Sequence, residues 1–250
     1  MNPYKVCFVI CINDEELYRR CRGFLDKMSI PVNFQTEMIE IRDAKGIPSA
    51  YNRAIQQSDA KYKVYLHQDT FIYNSNLIAD IVSFFASHPK VGLIGVVGGS
   101  KLPQSGIWFE NGLYCFGKVR EYRRSGIRLP VPSWNARKER IIRFRPVRKP
   151  YQPVFVVDGL LMITQYDIPW RVDLYDSFLY YEGPQCLEFI KQGYQVAVPY
   201  QKEPWCMHWG PQNDRSAADH EKMWRGIRAN AAIFNREYAD FINKDIKQFL

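Results

Sequence analysis

Two side chains in this sequence have the types and placement that divalent-cation or acid–base chemistry requires. His67-Gln68-Asp69 follows directly on the apolar run Lys63-Val64-Tyr65-Leu66. A carboxylate at the end of a buried strand is exposed yet held by a rigid backbone. Asp69 can therefore ligate a divalent cation or act as a base, and it can equally cap the next turn. His208 lies in Pro204-Trp205-Cys206-Met207-His208-Trp209-Gly210, a second apolar stretch that ends in Gly and Pro. One isolated His is commonly a hydrogen-bonded structural residue. Imidazole also suits transition metals such as Mn²⁺, and a distant Asp can complete such a site. Val97-Gly98-Gly99-Ser100-Lys101 has the glycines of a phosphate loop at the wrong spacing. The sequence has no H-E-x-x-H, no clustered Cys/His zinc spacing, no G-x-x-x-x-G-K-[ST] and no G-x-S-x-G, which argues against zincins, P-loop NTPases and typical esterases.

The elements that must position these groups can be read from hydrophobic spacing. Residues 5–12 form a continuous apolar run, as a strand buried on both faces would. Residues 14–28 place Leu17, Cys21, Phe24, Leu25 and Met28 on one helix face, with Asn13 or Asp14 as cap. Strands are expected at 34–41, 63–67 and 91–97, and helices at 48–57 and 74–87. The second half is less regular, with strands at 154–164 and 194–198 and a short helix at 184–192. From residue 214 onward Met223, Ile227, Ala231, Phe234, Tyr238, Phe241 and Ile246 trace a helical stripe, suited to core packing or to a homodimer contact. Strand–helix alternation with continuous apolar strands predicts an α/β fold, a mostly parallel central sheet flanked by helices with a C-terminal helical extension. In such sheets ligands bind outside the carboxyl ends of the strands, where His67-Gln68-Asp69 stands.

The 250 residues are 46% hydrophobic, 15% aromatic and 24% charged, which excludes a disordered chain, a collagen-like fibre and a coiled coil. The apolar run from Val6 to Ile12 is far shorter than the roughly 20 residues of a membrane-spanning helix. It also lacks the flanks of a signal peptide. The six cysteines, at 7, 11, 21, 115, 186 and 206, form no C-x-x-C pair. Free thiols in a reducing, cytoplasmic setting are expected. The net charge of +8 is localised: residues 118–149 hold twelve Lys or Arg against Glu121 and Glu139, and the other 218 residues sum to −2. This segment is either a solvated excursion or a patch for an anionic partner such as phosphate, an acidic glycan, nucleic acid or a membrane surface.

Several segments, taken in order, resemble the family-2-like nucleotide-sugar glycosyltransferases of GT-A fold, in the subgroup with H-Q-D in place of D-x-D. They are Ile41-Arg42-Asp43-Ala44 with Ser49-Ala50-Tyr51-Asn52, Tyr65-Leu66-His67-Gln68-Asp69, and Gly95-Val96-Val97-Gly98-Gly99-Ser100 with Trp108. Val157-Asp158-Gly159, Tyr181-Glu182, the run Gly193-Tyr194-Gln195-Val196-Ala197-Val198-Pro199 and Trp205-Cys206-Met207-His208 follow. The resemblance spans about residues 5 to 210. It implies a single GT-A domain over 1–250, with a donor-binding half at about 1–100, the basic excursion 118–149, an acceptor-side half at about 154–210 and a helical tail at 214–250.

The resemblance also implies roles. A sugar would pass from a nucleoside-diphosphate donor, such as a UDP-sugar, to an acceptor hydroxyl with inversion and with Mn²⁺ or Mg²⁺ as cofactor. Asp69 and His208 match the family's metal-site positions. His67 stands where the family has its first Asp, so it touches either the metal or the ribose and diphosphate. Glu182 matches the catalytic base, a Glu where the family usually has Asp, with Asp176 as competitor and helix capping as the alternative role. Asn13, Asp43, Asn52, His67 and Gln68 match the nucleotide-sugar side, and Arg42 can contact the diphosphate. Asp158, Gly159 and Trp205 match the acceptor side. The acceptor would be a glycan, protein or small molecule, with surface-polysaccharide or glycoconjugate synthesis as the setting. The enzyme would be cytoplasmic or peripheral at the inner membrane face. Two other readings stand beside this one: a nucleic-acid or polyanion-binding protein that uses 118–149, for which no nucleic-acid motif is present, and a glycosyltransferase-like protein without catalysis.

Overall fold

Strands form where the apolar runs are continuous. The computed structural model describes residues 1–123, 138–174, 176–209 and 217–250. Strand β1 (Asn2–Cys11) has Val6 to Ile10 almost wholly buried. Both of its faces are covered, so the run does not alternate. Helix α1 (Glu15–Leu25) follows, then β2 (Gln35–Ile41), α2 (Ile47–Gln57), β3 (Ala60–Leu66), β4 (Thr70–Ile72), α3 (Leu77–Ser87), β5 (Val91–Gly95) and β6 (Val97–Gly99). The second half carries β7 (Cys115–Arg123), β8 (Lys138–Arg143), β9 (Tyr151–Val154), β10 (Val156–Val157), β11 (Leu161–Thr164), α4 (Glu182–Lys191), β12 (Gln195–Pro199), β13 (Cys206–His208) and α5 (Ala217–Glu237).

Seven strands make the central sheet in the order β2-β1-β3-β11-β5-β12-β9. β1 pairs parallel with β2 and β3, and β12 pairs parallel with β5, while β11 and β9 run antiparallel to their neighbours. The expected mostly parallel α/β sheet is present. A second sheet, β10-β6-β7-β13-β4 with β8 on β7, was not anticipated. The register places the site. Cys11 lies opposite Ile41, and Leu161 lies opposite Leu66. The turns after β1, β2 and β3 and the turn before β11 therefore share one rim.

Two strands expected as single pieces are broken. Residues 91–97 divide at Val96 into β5 and β6, which join different sheets. Gly98 lies so close to its partner strand that a Cβ there would sit 2.4 Å from the Val156 carbonyl oxygen. The Gly-Gly pair is thus a packed strand and not a phosphate loop. Residues 154–164 divide at a turn in which Asp158 Oδ1 accepts from the Leu160 amide at 2.9 Å. Such local side-chain bonding ends a ladder. The C-terminal stripe is helical only to Glu237, and the following turns are 3₁₀. Phe234 and Tyr238 are fully buried, so this part of the stripe packs within the chain.

Candidate active site

Asp69 sits between β3 and β4, where the chain leaves the central sheet for the smaller one. The antiparallel ladder of β13 on β4 sets His208 opposite Thr70 and so brings it beside Asp69 across 139 residues of sequence. The backbone seals the junction, because the Trp209 amide donates to the Asp69 carbonyl at 2.7 Å and the Thr70 amide to the His67 carbonyl at 3.0 Å. Ligand-type atoms of His67, Asp69 and His208 all lie within 4.8 Å of one another. Asp69 Oδ1 is 3.8 Å from His67 Nδ1 and Oδ2 is 3.5 Å from His208 Nε2, with all three side chains partly open to solvent. Asp69 Oδ1 is itself buried and takes no hydrogen bond among the described residues. A carboxylate set between two imidazoles, with one buried oxygen lacking a donor, suits a divalent cation, and these three residues could hold one.

For Asp69 and His67 the protonation balance suits that role, while His208 is held by its carboxylate neighbours as a proton carrier, whose proton a cation would have to displace. Burial would raise the Asp69 carboxyl, but His208 and then His67 outweigh it and hold the group below its ordinary range. Burial lowers the His67 imidazole, and the neighbouring His208 adds to this against the opposing pull of Asp69. A neutral imidazole is the form that ligates. For His208 burial also acts downward, but the adjoining Asp69, with Asp158 and Glu121, carries the group above its ordinary value.

Gln68, the middle residue of the motif, is turned to another task. Its Oε1 accepts from the amides of Asn13 (2.9 Å) and Asp14 (3.0 Å), and its amide donates to Asn13 Oδ1. This ties the end of β3 to the turn before α1, whose N-cap is Asp14, accepting from the Leu17 amide at 2.9 Å. Asn13 is thus fixed at the rim beside His67 and Asp69. Asp43 stands at the same rim after β2, in a bidentate pair with Arg53 at 2.9 and 3.0 Å that holds its carboxyl low. Arg42 pairs with Glu15 and Glu40. Asn52 lies on α2 with both side-chain polar atoms on the backbone of Trp170, at 2.8 and 2.9 Å.

On the opposite side of the cluster stand Asp158, Gly159 and the start of α4. The His67 amide donates to the Leu160 carbonyl at 3.2 Å. Tyr181, which sequence reasoning quoted but gave no role, has its hydroxyl 2.5 Å from His67 Nε2 and donates to the Gly159 carbonyl at 3.2 Å. Gly159 leaves the space for it, since a Cβ there would lie 2.4 Å from the Tyr181 hydroxyl. Glu182 follows at the first position of α4, half-buried. Burial first, and the charge of Asp158 second, raise its carboxyl to about 8. The Asp176 carboxylate instead accepts from the Ser49 amide at 3.1 Å, at the N-terminus of α2. Trp205 is buried away from the cluster, beyond the far end of the β4–β13 ribbon. There it lines an open cavity of about 690 Å³ with Tyr73, Phe84, Arg120 and Tyr200.

The cluster can bind a cation, and a half-buried carboxyl with raised affinity for protons can accept one from a hydroxyl. Comparisons with known proteins agree in fold. A mannosyltransferase, PcManGT from Pyrobaculum calidifontis, solved in complex with GDP-Man and Mn²⁺, superposes with a TM-score of 0.53 at 12% identity over 97% of this chain. This chain spans 65% of that protein's length. S. aureus TarS 1-349 in complex with UDP-GlcNAc matches at a TM-score of 0.48 and 11% identity, over 90% of this chain and 66% of its own. No curated protein matches the sequence. The family model described as "Glycosyltransferase like family" matches residues 7–226, and the chain therefore belongs to that family.

Proposed function

We propose that this protein is a metal-dependent, inverting glycosyltransferase that moves a sugar from a nucleoside-diphosphate donor to an acceptor hydroxyl. The observation that carries this reading is the convergence of His67, Asp69 and His208 on one point at the strand ends, with a buried Asp69 oxygen that lacks a donor. In this reading His67-Gln68-Asp69 is the H-Q-D form of the family's metal motif. Asp69 and His208 hold the ion with His67, and two imidazoles with one carboxylate favour Mn²⁺ over Mg²⁺. A bound divalent cation would offset the negative charge that develops on the leaving diphosphate.

The chain's own residues do the rest. Asn13 and Asp43, on the β1 and β2 side of the rim, face the nucleotide, with Asn52 shaping the floor behind them. Asp158, Gly159 and Glu182 stand on the acceptor side. Glu182 takes the proton of the acceptor hydroxyl as that oxygen attacks the anomeric carbon and the bond to the diphosphate breaks. Segment 118–149 supplies a contact for an anionic acceptor or a membrane surface on the cytoplasmic side. Residues 124–137 of it lie outside the described residues. In its described arms Arg120 pairs with Glu139 and Arg140 with Glu121. Among the described residues no helix is long and apolar enough to cross a membrane.

A transfer assay over a panel of nucleoside-diphosphate sugars tests the reading. Turnover should require Mn²⁺, vanish on chelation, and fall by at least about 100-fold in Asp69→Ala. Wild-type rates from Asp69→Ala would reject it.

A further inference from the structure

We infer that Tyr181 is a positioning residue that fixes the tautomer of His67, so that the bare Nδ1 of that ring faces Asp69. This rests on the metal reading above and assigns within it a role that the motif does not contain.

For a neutral His67 ring, the hydrogen-bond inventory of three groups leaves one arrangement that satisfies both contacts. A phenol has a single proton to give and can accept another. The Tyr181 hydroxyl touches both the Gly159 carbonyl, which can only accept, and His67 Nε2. Both contacts are satisfied when the phenol donates to Gly159 and His67 Nε2–H donates to the phenol. In the reverse arrangement the phenol donates to Nε2, the Gly159 carbonyl loses its donor, and the ring proton moves to Nδ1. There it would point toward Asp69 Oδ1 across 3.8 Å, beyond hydrogen-bond range. The Nε2–H form instead leaves two lone-pair atoms, Nδ1 and Oδ1, facing each other, which is the arrangement a cation requires.

The latch is rigid at each joint. Tyr181 is only 4% exposed, and its ring packs edge-on against Tyr51 and tilted against Trp170. Gly159 is held in the turn closed by Asp158, and a Cβ there would collide with the phenol. The His67 backbone is pinned to the Leu160 carbonyl of the same turn. Outer partners of this kind, which orient a ligating His, typically change metal affinity by about 10–100-fold when removed.

Two measurements test this. In the metal-free protein, ¹⁵N NMR of the imidazoles should find His67 protonated on Nε2. Mn²⁺ binding, followed by electron paramagnetic resonance, should weaken roughly tenfold or more in Tyr181→Phe. Circular dichroism of that variant confirms that the fold is retained. In the double variant His67→Ala/Tyr181→Phe the tyrosine change should cost nothing beyond His67→Ala alone, because Tyr181 acts only through the ring. A His67 protonated on Nδ1, or the same loss from Tyr181→Phe with and without His67, overturns the inference. If His67→Ala binds Mn²⁺ like the wild type while Asp69→Ala does not, the inference fails and the metal site stands. Absence of Mn²⁺ binding by the wild type overturns both.

Discussion

A proton acceptor is useful near neutrality only if its surroundings hold its pKa there, and Glu182 meets that condition through its neighbours. Its carboxyl is raised to about 8 by burial and by Asp158. Between the ordinary carboxylate range and pH 8 the folded state therefore holds a proton that the unfolded chain has released. The associated stability is complete at low pH and is lost as pH rises through 8. Glu182→Gln removes the charge that must be desolvated. Its melting temperature should match the wild type near pH 4 and exceed it increasingly up to pH 9, while transfer falls by about 10²–10⁴-fold. A variant whose stability tracks the wild type at every pH would show that the carboxyl titrates normally. The residue was visible in the sequence as a carboxylate ahead of a helix. Its proton affinity was not, because Asp158 comes close only once α4 packs against β10. Tyr181 was hidden for the same reason: a Tyr before a Glu has no motif, and its partners Gly159 and His67 are 22 and 114 residues away.

At the scale of elements, the long strands and amphipathic helices were legible because period and length speak together over ten or more residues. Strands of three residues have no period to read. For that reason β4 and β13, which deliver His208 to Asp69, appeared only as the flanks of motifs. The N-terminus of α2 shows how the fold distributes carboxylates between work and structure. Gly46 cannot cap the helix, and a Cβ there would lie 2.2 Å from Asp176 Oδ1. Asp176 arrives from 127 residues away to accept from the Ser49 amide. The carboxylate that competed with Glu182 for the role of base is thus engaged as a helix cap. Asp176→Ala should cost about 1 kcal/mol of stability. It should leave the transfer rate within about twofold, the reverse of the pattern for Glu182→Gln. A large rate loss at unchanged stability would restore Asp176 as the base.

At the scale of the whole molecule, the site lies on the seam between two sheets. Asp69 and His67 hang from the end of β3 in the central sheet, and His208 ends β13 in the smaller one. Asn13 is tied in from β1 through Gln68, and Tyr181 from the start of α4. Anything that binds all these groups binds only the assembled native state, and its binding free energy adds to the stability of both sheets together. At ligand concentrations 100-fold above the dissociation constant this amounts to about 2.7 kcal/mol. For a chain of this size that is a rise of roughly 5–10 °C in melting temperature. Scanning calorimetry with Mn²⁺ and a nucleoside diphosphate should therefore show a single transition moving upward as a whole, and no movement in Asp69→Ala. If the transition splits and only one part responds, the two sheets unfold separately and the ligand rests on one of them, so that His208 would not share the site with Asp69. The net charge of +8 enters this balance little: its excess lies in segment 118–149, which reaches the seam with Glu121 opposite His208, and the buried groups of the seam are little screened by salt. Raising the salt concentration should therefore leave the Mn²⁺-dependent shift largely intact while weakening any attachment to anionic surfaces through that segment.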